Sequence, residues 1–365
     1  MFYPKYATTV IGAHSVPDWY EALDRLMAVG HLSMGSMADA QYRCMEAAIL
    51  DQELAGIDII TGGEMHRRTH NRHSPPNAML NFFWQKIPAF QGGTRPKPIT
   101  KKDPDVFHPA ATCKDRIHDN IDLGLVDEFR QASALTRKPV KITMTGPHML
   151  AAVAYDEYYG DISKMMLDLA KLLRRNFRTL VDAGCRHIQI DEPLFSDAAD
   201  AEVQAAADSI NLAIADIPED VHVSVHVCQG NYAVGKEYDG QIGHRYFDSG
   251  RYKADLICKI ECSSYLIEHD MTRHFEKHLR NQQLGVGAVD VQDPEGRDPG
   301  DYRRTQSCLY VALSRTDHRD QLMRAQSSAA AGCVRKTQGN GRCEAVAWGL
   351  GYLAFGQTPA NGLNN

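Results

Sequence analysis

No stretch of this 365-residue chain approaches the roughly 20 consecutive apolar residues that a membrane-spanning helix needs. Met1 to Val10 have no apolar run behind a basic head, so no secretory signal is expected and the predicted location is cytoplasmic. Basic charge is in short supply as well. The 40 Lys and Arg against 46 Asp and Glu give a formal net charge of -6, the opposite of the footprint that nucleic acid or an anionic membrane requires. Small molecules are the expected partners. The nine cysteines are odd in number and lack the dense spacing of a disulfide scaffold, so they are expected to be reduced thiols. No GxGxxG follows the first apolar run, which argues against a dinucleotide-binding fold. Neither an internal repeat nor a low-complexity tract is present, and nothing in the pattern fixes an oligomeric state.

What is present is an alternation of short and long apolar patterns. Runs rich in β-branched residues at Thr8 to Gly12, Ile57 to Thr61, Val140 to Met144, His187 to Ile190, Val221 to Cys228, Leu256 to Glu261 and Leu284 to Asp290 predict seven strands. Between them, Ile162 to Ala183 carries one apolar stripe of helical period and ends at Gly184; a second helix is expected from about Met37 to Ala55, stopping at Gly56. Repeated βα units of this number favour a TIM (β/α)8 barrel over an open sheet. The segment 67–136 is longer than a barrel loop and rich in Pro and Gly, so it is expected to be an excursion capping one barrel face.

The predicted strand from Val221 to Cys228 alternates strictly, with four valines on one side and His222, Ser224, His226 and Cys228 on the other. A barrel strand has no solvent-exposed face, so the polar side should look into a functional interior, with His226 and Cys228 at the C-terminal end where barrel enzymes place their sites. Both suit zinc, and Glu261 ends the next strand. The alternative is an edge strand whose polar side meets water. Glu64, Asp191, Glu192 and Asp290 also follow strands. Glu64 and Asp191 are expected to line a polar pocket able to hold an amine, and Asp290 to be a helix cap or an ion-pair partner.

At these residues the chain resembles the catalytic half of cobalamin-independent methionine synthase, from Thr8 to about Pro294. The matching phrases are TTVIG (8–12), GGEM (62–65), TGP (145–147), QIDEP (189–193), HVC (226–228), KIE (259–261) and GVGAVD (285–290). The resemblance implies a TIM barrel with zinc held by His226, Cys228, Glu261 and one further cysteine. It also implies an amino-thiol substrate such as homocysteine contacted by Ile11, Gly12, Glu64 and Asp191. His226 and Cys228 then serve catalysis as well as the metal, since zinc lowers the pKa of a bound thiol and a thiolate can attack a methyl or alkyl carbon. The chain departs from the family in two places. Ala13 stands where the family has the serine of IGS, and His148 to Val153 occupy the place of the tryptophan on which a folate donor stacks. The phrases VPDWY (16–20), YYGD (158–161) and HVCQGNY (226–232) are similar to the branch containing epoxyalkane:coenzyme M transferase, which opens an epoxide with a zinc-bound thiolate. The donor is therefore left open between folate, methylcobalamin and an epoxide.

The tail breaks this pattern. From Glu295 to Gln326 neither a helical stripe nor a strand is expected, and the family's last zinc ligand, a cysteine on the eighth strand, has no counterpart near position 322. The domain reading is a barrel over 1–294 with its eighth βα unit altered or missing, followed by an atypical tail over 295–365. That tail is read as the product of a reading frame that slips just after Pro294; the alternative is a genuinely divergent C-terminus. A defective barrel that does not turn over is the non-catalytic reading.

Overall fold

A computed structural model describes residues 7–14, 17–67, 79–98, 107–194, 200–227, 256–259, 283–287 and 309–313. Chain order begins with strand β1 (Thr8–Val10), helices α1 (Asp18–Ala28) and α2 (Met34–Leu54), a 3-10 turn (Met65–Arg67) and the short helix α3 (Asn81–Trp84). A hairpin of β2 (Phe90–Pro98) and β3 (Phe107–Cys113) leads to α4 (Leu125–Ala134), β4 (Lys141–Thr145), α5 (Pro147–Ala152) and β5 (Tyr155–Asp156). Then come α6 (Ile162–Asp182), β6 (His187–Asp191), α7 (Asp200–Ala213) and the strands β7 (His222–Val227), β8 (Leu256–Lys259), β9 (Gln283–Gly287) and β10 (Leu309–Leu313). The fold is α/β, and among the described residues no helix is long and apolar enough to cross a membrane.

The two long helices form for reasons visible in the sequence. Asp161 caps α6 by accepting from the Ser163 N–H at 2.9 Å, and Gly184, at φ 104, takes the left-handed position that closes it. Met165, Met166, Leu169, Leu172, Leu173, Phe177 and Leu180 all lie on its buried face. Burying each such side chain contributes about 1.5–3 kcal/mol, far more than the cap. Ser33 caps α2 in the same way, and Met37, Cys44, Met45, Ala48 and Ile49 are its inward face.

The main sheet runs β1-β10-β9-β8-β7-β6-β4. Its two ends meet through residues 59 and 60, because Thr9 bridges Ile59 and Ile60 bridges Val140, both in parallel. Followed strand by strand, the pairing returns to β1. Six of the seven strands expected from the sequence are present in this circuit, the seventh, Ile57 to Thr61, takes part through isolated bridges at residues 59 and 60, and the neighbours from β4 to β9 are parallel. The tail differs from expectation. Leu309–Leu313 is a strand, pairing antiparallel with both β9 and β1, so the eighth position is occupied by a strand of reversed direction.

Within the segment 67–136, β2 and β3 form an antiparallel pair that β5 extends. Lys97 on β2 donates to the carbonyls of Ala152 and Ala154 at 2.8 and 2.5 Å, and Arg95 lies 3.8 Å over the Tyr155 ring. These contacts fasten the hairpin to the end of α5. The last part of the segment, α4, is instead an ordinary helix packed on β4 and α6.

Candidate active site

Pairing register places the polar residues of β4, β6 and β7 in three rows. Lys141, His187 and His222 are cross-strand partners, as are Thr143, Gln189 and Ser224, and then Thr145, Asp191 and His226. Partners in register share a face, so all nine point to one side, while Ile142, Ile188, Val223, Met144, Ile190 and Val225 point to the other. Both faces of β7 are buried: His222, Ser224 and His226 as fully as Val221, Val223 and Val225. With β6 and β8 on its flanks, β7 is not a water-facing edge strand.

The upper row meets the loops that follow β1 and the 59–60 segment. Gln189 donates through Nε2 to the Ile11 carbonyl at 2.8 Å and to Asp191 Oδ1 at 2.7 Å. Glu64 arrives from the other side at φ 57, a left-handed conformation that costs a non-glycine residue energy and that the surrounding contacts must hold. Its Oε1 accepts from the Thr143 hydroxyl and lies 3.3 Å from Arg67 Nη1. A Cβ at Gly12 would fall 2.3 Å from that oxygen, so only glycine leaves room for the Glu64 carboxylate there. The structure thus brings together five of the residues singled out from the sequence: Ile11, Gly12, Glu64, Asp191 and His226. Cys228, Glu261 and Asp290 lie outside the described residues, although β7 and β8, which lead to the first two, are neighbours with Val227 opposite Lys259.

Electrostatics follow from burial. The Asp191 carboxyl is pushed up to about 8, first by desolvation and then by the Glu64 charge, with Gln189, Arg67 and Lys141 pulling the other way. His226 is pushed down to about 3 by desolvation and by Lys141, so its imidazole is neutral. Neutral imidazole is the form that ligates a metal. Among the described residues no three His, Cys, Asp or Glu side chains converge as a metal-binding group.

Glu192 has a different role from its neighbour. Its carboxylate accepts from the backbone N–H groups of His148 and Met149 at 3.0 and 2.8 Å, which caps α5; burial pushes its carboxyl up to about 7 against these donors. Of the cysteines, Cys44, Cys113 and Cys185 are buried, and desolvation pushes the Cys113 thiol up to about 11 and Cys185 up to about 12. Such thiols are inert packing residues.

Sequence reasoning missed Lys141, Thr143, Gln189, Arg67 and Glu128. The first three were open to the alternation argument applied to β7, since Lys141, Thr143 and Thr145 alternate with Ile142 and Met144. The buried pair of Arg67 with Glu128 joins positions 61 residues apart, and no local pattern announces it.

Comparison with known proteins concerns the chain as a whole. The sequence profile described as cobalamin-independent synthase, catalytic domain, matches residues 6–299. The methionine synthase of Thermococcus kodakarensis is 31% identical over 302 residues, 81% of this chain and 79% of its own. That of Pyrococcus furiosus is 30% identical over 317 residues, 85% of this chain and 83% of its own. Among solved structures, a B12-independent methionine synthase from Shewanella sp. W3-18-1, in complex with selenomethionine, is similar with a TM-score of 0.64 at 17% identity, covering 90% of this chain and 96% of that one. A vitamin-B12-independent methionine synthase from Listeria monocytogenes gives 0.60 at 17%, covering 82% and 83%. At that identity the structural likeness concerns the fold, whereas the profile spans most of the sequence; the chain belongs to the cobalamin-independent methionine synthase family.

Proposed function

We propose that this protein is a zinc-dependent S-methyltransferase acting on an amino thiol such as homocysteine, within a (β/α)8 barrel whose eighth strand is reversed. The observation that carries the reading is the convergence of two buried carboxyls, Glu64 and Asp191, on the Ile11–Gly12 turn, with Asp191 the cross-strand partner of His226. Two buried acids sharing a field favour a cation between them, which a substrate ammonium would supply. The methionine synthase relatives support methyl transfer to sulfur.

His226, Cys228 and Glu261 are the residues that would hold zinc, and the neutral imidazole of His226 fits that role. When bound, zinc supplies Lewis acidity that keeps a substrate thiol deprotonated near neutral pH. The chain's own residues do the rest. Asp191 and Glu64 take the ammonium, and the Ile11 carbonyl accepts one of its protons, which fixes the direction from which the sulfur attacks.

A second reading is alkylation of a thiol by an epoxide. It is favoured by the place after TGP, where Pro147 to Ala151 are all buried and include no tryptophan. Trp84 does not substitute for one, because it is buried against Phe90 with its N–H directed at the Leu150 carbonyl. The test is metal analysis of the purified full chain, followed by thiol loss with homocysteine or coenzyme M against methylfolate, methylcobalamin and a short epoxide. Stoichiometric zinc with activity toward a methyl donor supports the proposal. Activity with the epoxide alone transfers it to the second reading, and absence of zinc refutes both.

A further inference from the structure

The middle row of the interior holds a side chain whose hydrogen bonds leave it almost no freedom. Gln189 is fully buried, and its Oε1 lies 2.7 Å from Lys141 Nζ. A lysine ammonium is a donor only, so Oε1 must face it and the amide cannot be turned over. Both protons of Nε2 are then committed, one to the Ile11 carbonyl at 2.8 Å and one to Asp191 Oδ1 at 2.7 Å. Lys141 is itself fixed, because Nζ also donates to the Val10 carbonyl on β1. One amide therefore ties the end of β1 to the end of β6, two strands that are not neighbours in the sheet. Among the described residues, Gln189 is the single side chain that donates to the Asp191 carboxylate.

We infer that Gln189, oriented by Lys141, is a positioning residue that sets the distance between the Ile11 carbonyl and the Asp191 carboxylate and so gives the site its preference for a thiol bearing an amino group. The inference rests on the amino-thiol reading above. Neither residue needs to touch substrate. Their effect is to spend Oδ1 of Asp191 on a fixed donor, leaving the other carboxylate oxygen and the second lone pair of the Ile11 carbonyl aimed at one cation. Glutamate at position 189 would still accept from Lys141 but would turn two donor contacts into acceptor against acceptor.

The test compares binding of homocysteine and 4-mercaptobutanoate, which differ only in the amino group, by calorimetry on the full chain. The wild type is expected to prefer homocysteine by roughly tenfold or more. Gln189→Met and Lys141→Met should each shrink that preference to about threefold or less while binding 4-mercaptobutanoate as the wild type does. A general loss of structure would weaken both thiols together, and that result overturns the inference. Variants that keep the full preference overturn it while leaving the amino-thiol reading intact, and a wild type without preference overturns both. Should the variants fail to fold, the structure of the wild type with homocysteine decides. An ammonium held between Asp191 and the Ile11 carbonyl supports the inference; an ammonium bound elsewhere refutes it.

Discussion

Replacing Glu128 by glutamine tests how the site is held. Glu128 on α4 and Arg67 are both almost wholly buried, with Nε at 3.1 Å and Nη2 at 2.8 and 2.9 Å from the carboxylate oxygens. Burial would raise the Glu128 carboxyl, but the Arg67 charge, with His66 beside it, outweighs burial and takes it from 4.5 down to about 2. Since each tenfold change in proton affinity is about 1.4 kcal/mol, the pair stabilises the ionised fold by about 3 kcal/mol. Removing one partner from a buried pair independently suggests a loss of about 3–5 kcal/mol. The two routes agree. Arg67→Met should cost more than Glu128→Gln, because Arg67 also donates to the Thr143 carbonyl at 2.6 Å and faces Glu64.

The assay is urea unfolding followed by far-UV circular dichroism, at neutral pH and in acid. Because the folded pKa of Glu128 lies below the unfolded one, its contribution is complete above about pH 4.5 and is lost as the pH falls toward about 2. Glu128→Gln should remove that part of the acid sensitivity. The double variant Arg67→Met/Glu128→Leu should lose less than the two single losses added, since an apolar pair replaces two charges. A Glu128→Gln protein within about 1 kcal/mol of wild type at neutral pH, or one with an unchanged acid slope, would refute the reasoning.

Two further outcomes are expected. At the other end of the interior, His187 stacks on His222 with ring centres 5.1 Å apart, and burial, then the charge of His222 and of Lys141, takes His187 down to about 3. The unfolded chain takes up a proton that the fold refuses, so stability is complete above about pH 6.5 and falls as the pH drops toward 3; His187→Phe should flatten that slope in thermal melts. At the site, Gly12→Ala would drive a Cβ to 2.3 Å from Glu64 Oε1 and 3.0 Å from the Thr143 methyl. Homocysteine affinity should fall roughly tenfold with little change in melting temperature, and unchanged affinity would remove Glu64 from the site.

What was legible in the sequence follows the reach of each interaction. β-branched runs and the strict alternation of Val221 to Cys228 are local, and they point to six strands, the bridging segment at 59–60 and the buried polar face that carries His226. Asp191 was legible because it ends a strand. Glu64 was legible as a residue after a strand, but its left-handed backbone was not, since that conformation is held by Thr143 and Arg67 from elsewhere in the chain. Lys141, in the expected strand Val140 to Met144, lies 1% exposed between the Val10 carbonyl and Gln189, partners that no local pattern reveals. The strand Leu309–Leu313 is a five-residue apolar run that local pattern cannot tell from a helix fragment. Its direction is set by partners on β9 and β1.

That reversed strand makes the slipped-frame reading testable through packing as well as through the coding DNA. A restored frame would add a closing helix after a parallel eighth strand, in the outer layer beside α2, whereas the antiparallel pairing of β10 with β9 requires no crossover helix. In the chain as it stands, Leu50 and Leu54, one turn apart on α2, are 52% and 57% exposed. Covering the exposed half of two leucines would contribute about 2 kcal/mol. If the frame slips after Pro294, a chain with the frame restored should unfold at higher urea. In it Leu50→Lys should cost about 1 kcal/mol or more, whereas in the present chain the same change should stay within about 0.5 kcal/mol. Equal effects in both chains would mean that no helix covers α2. A coding sequence with no shifted frame encoding a strand, a cysteine and a helix would end the idea, leaving the antiparallel closure as the protein's own.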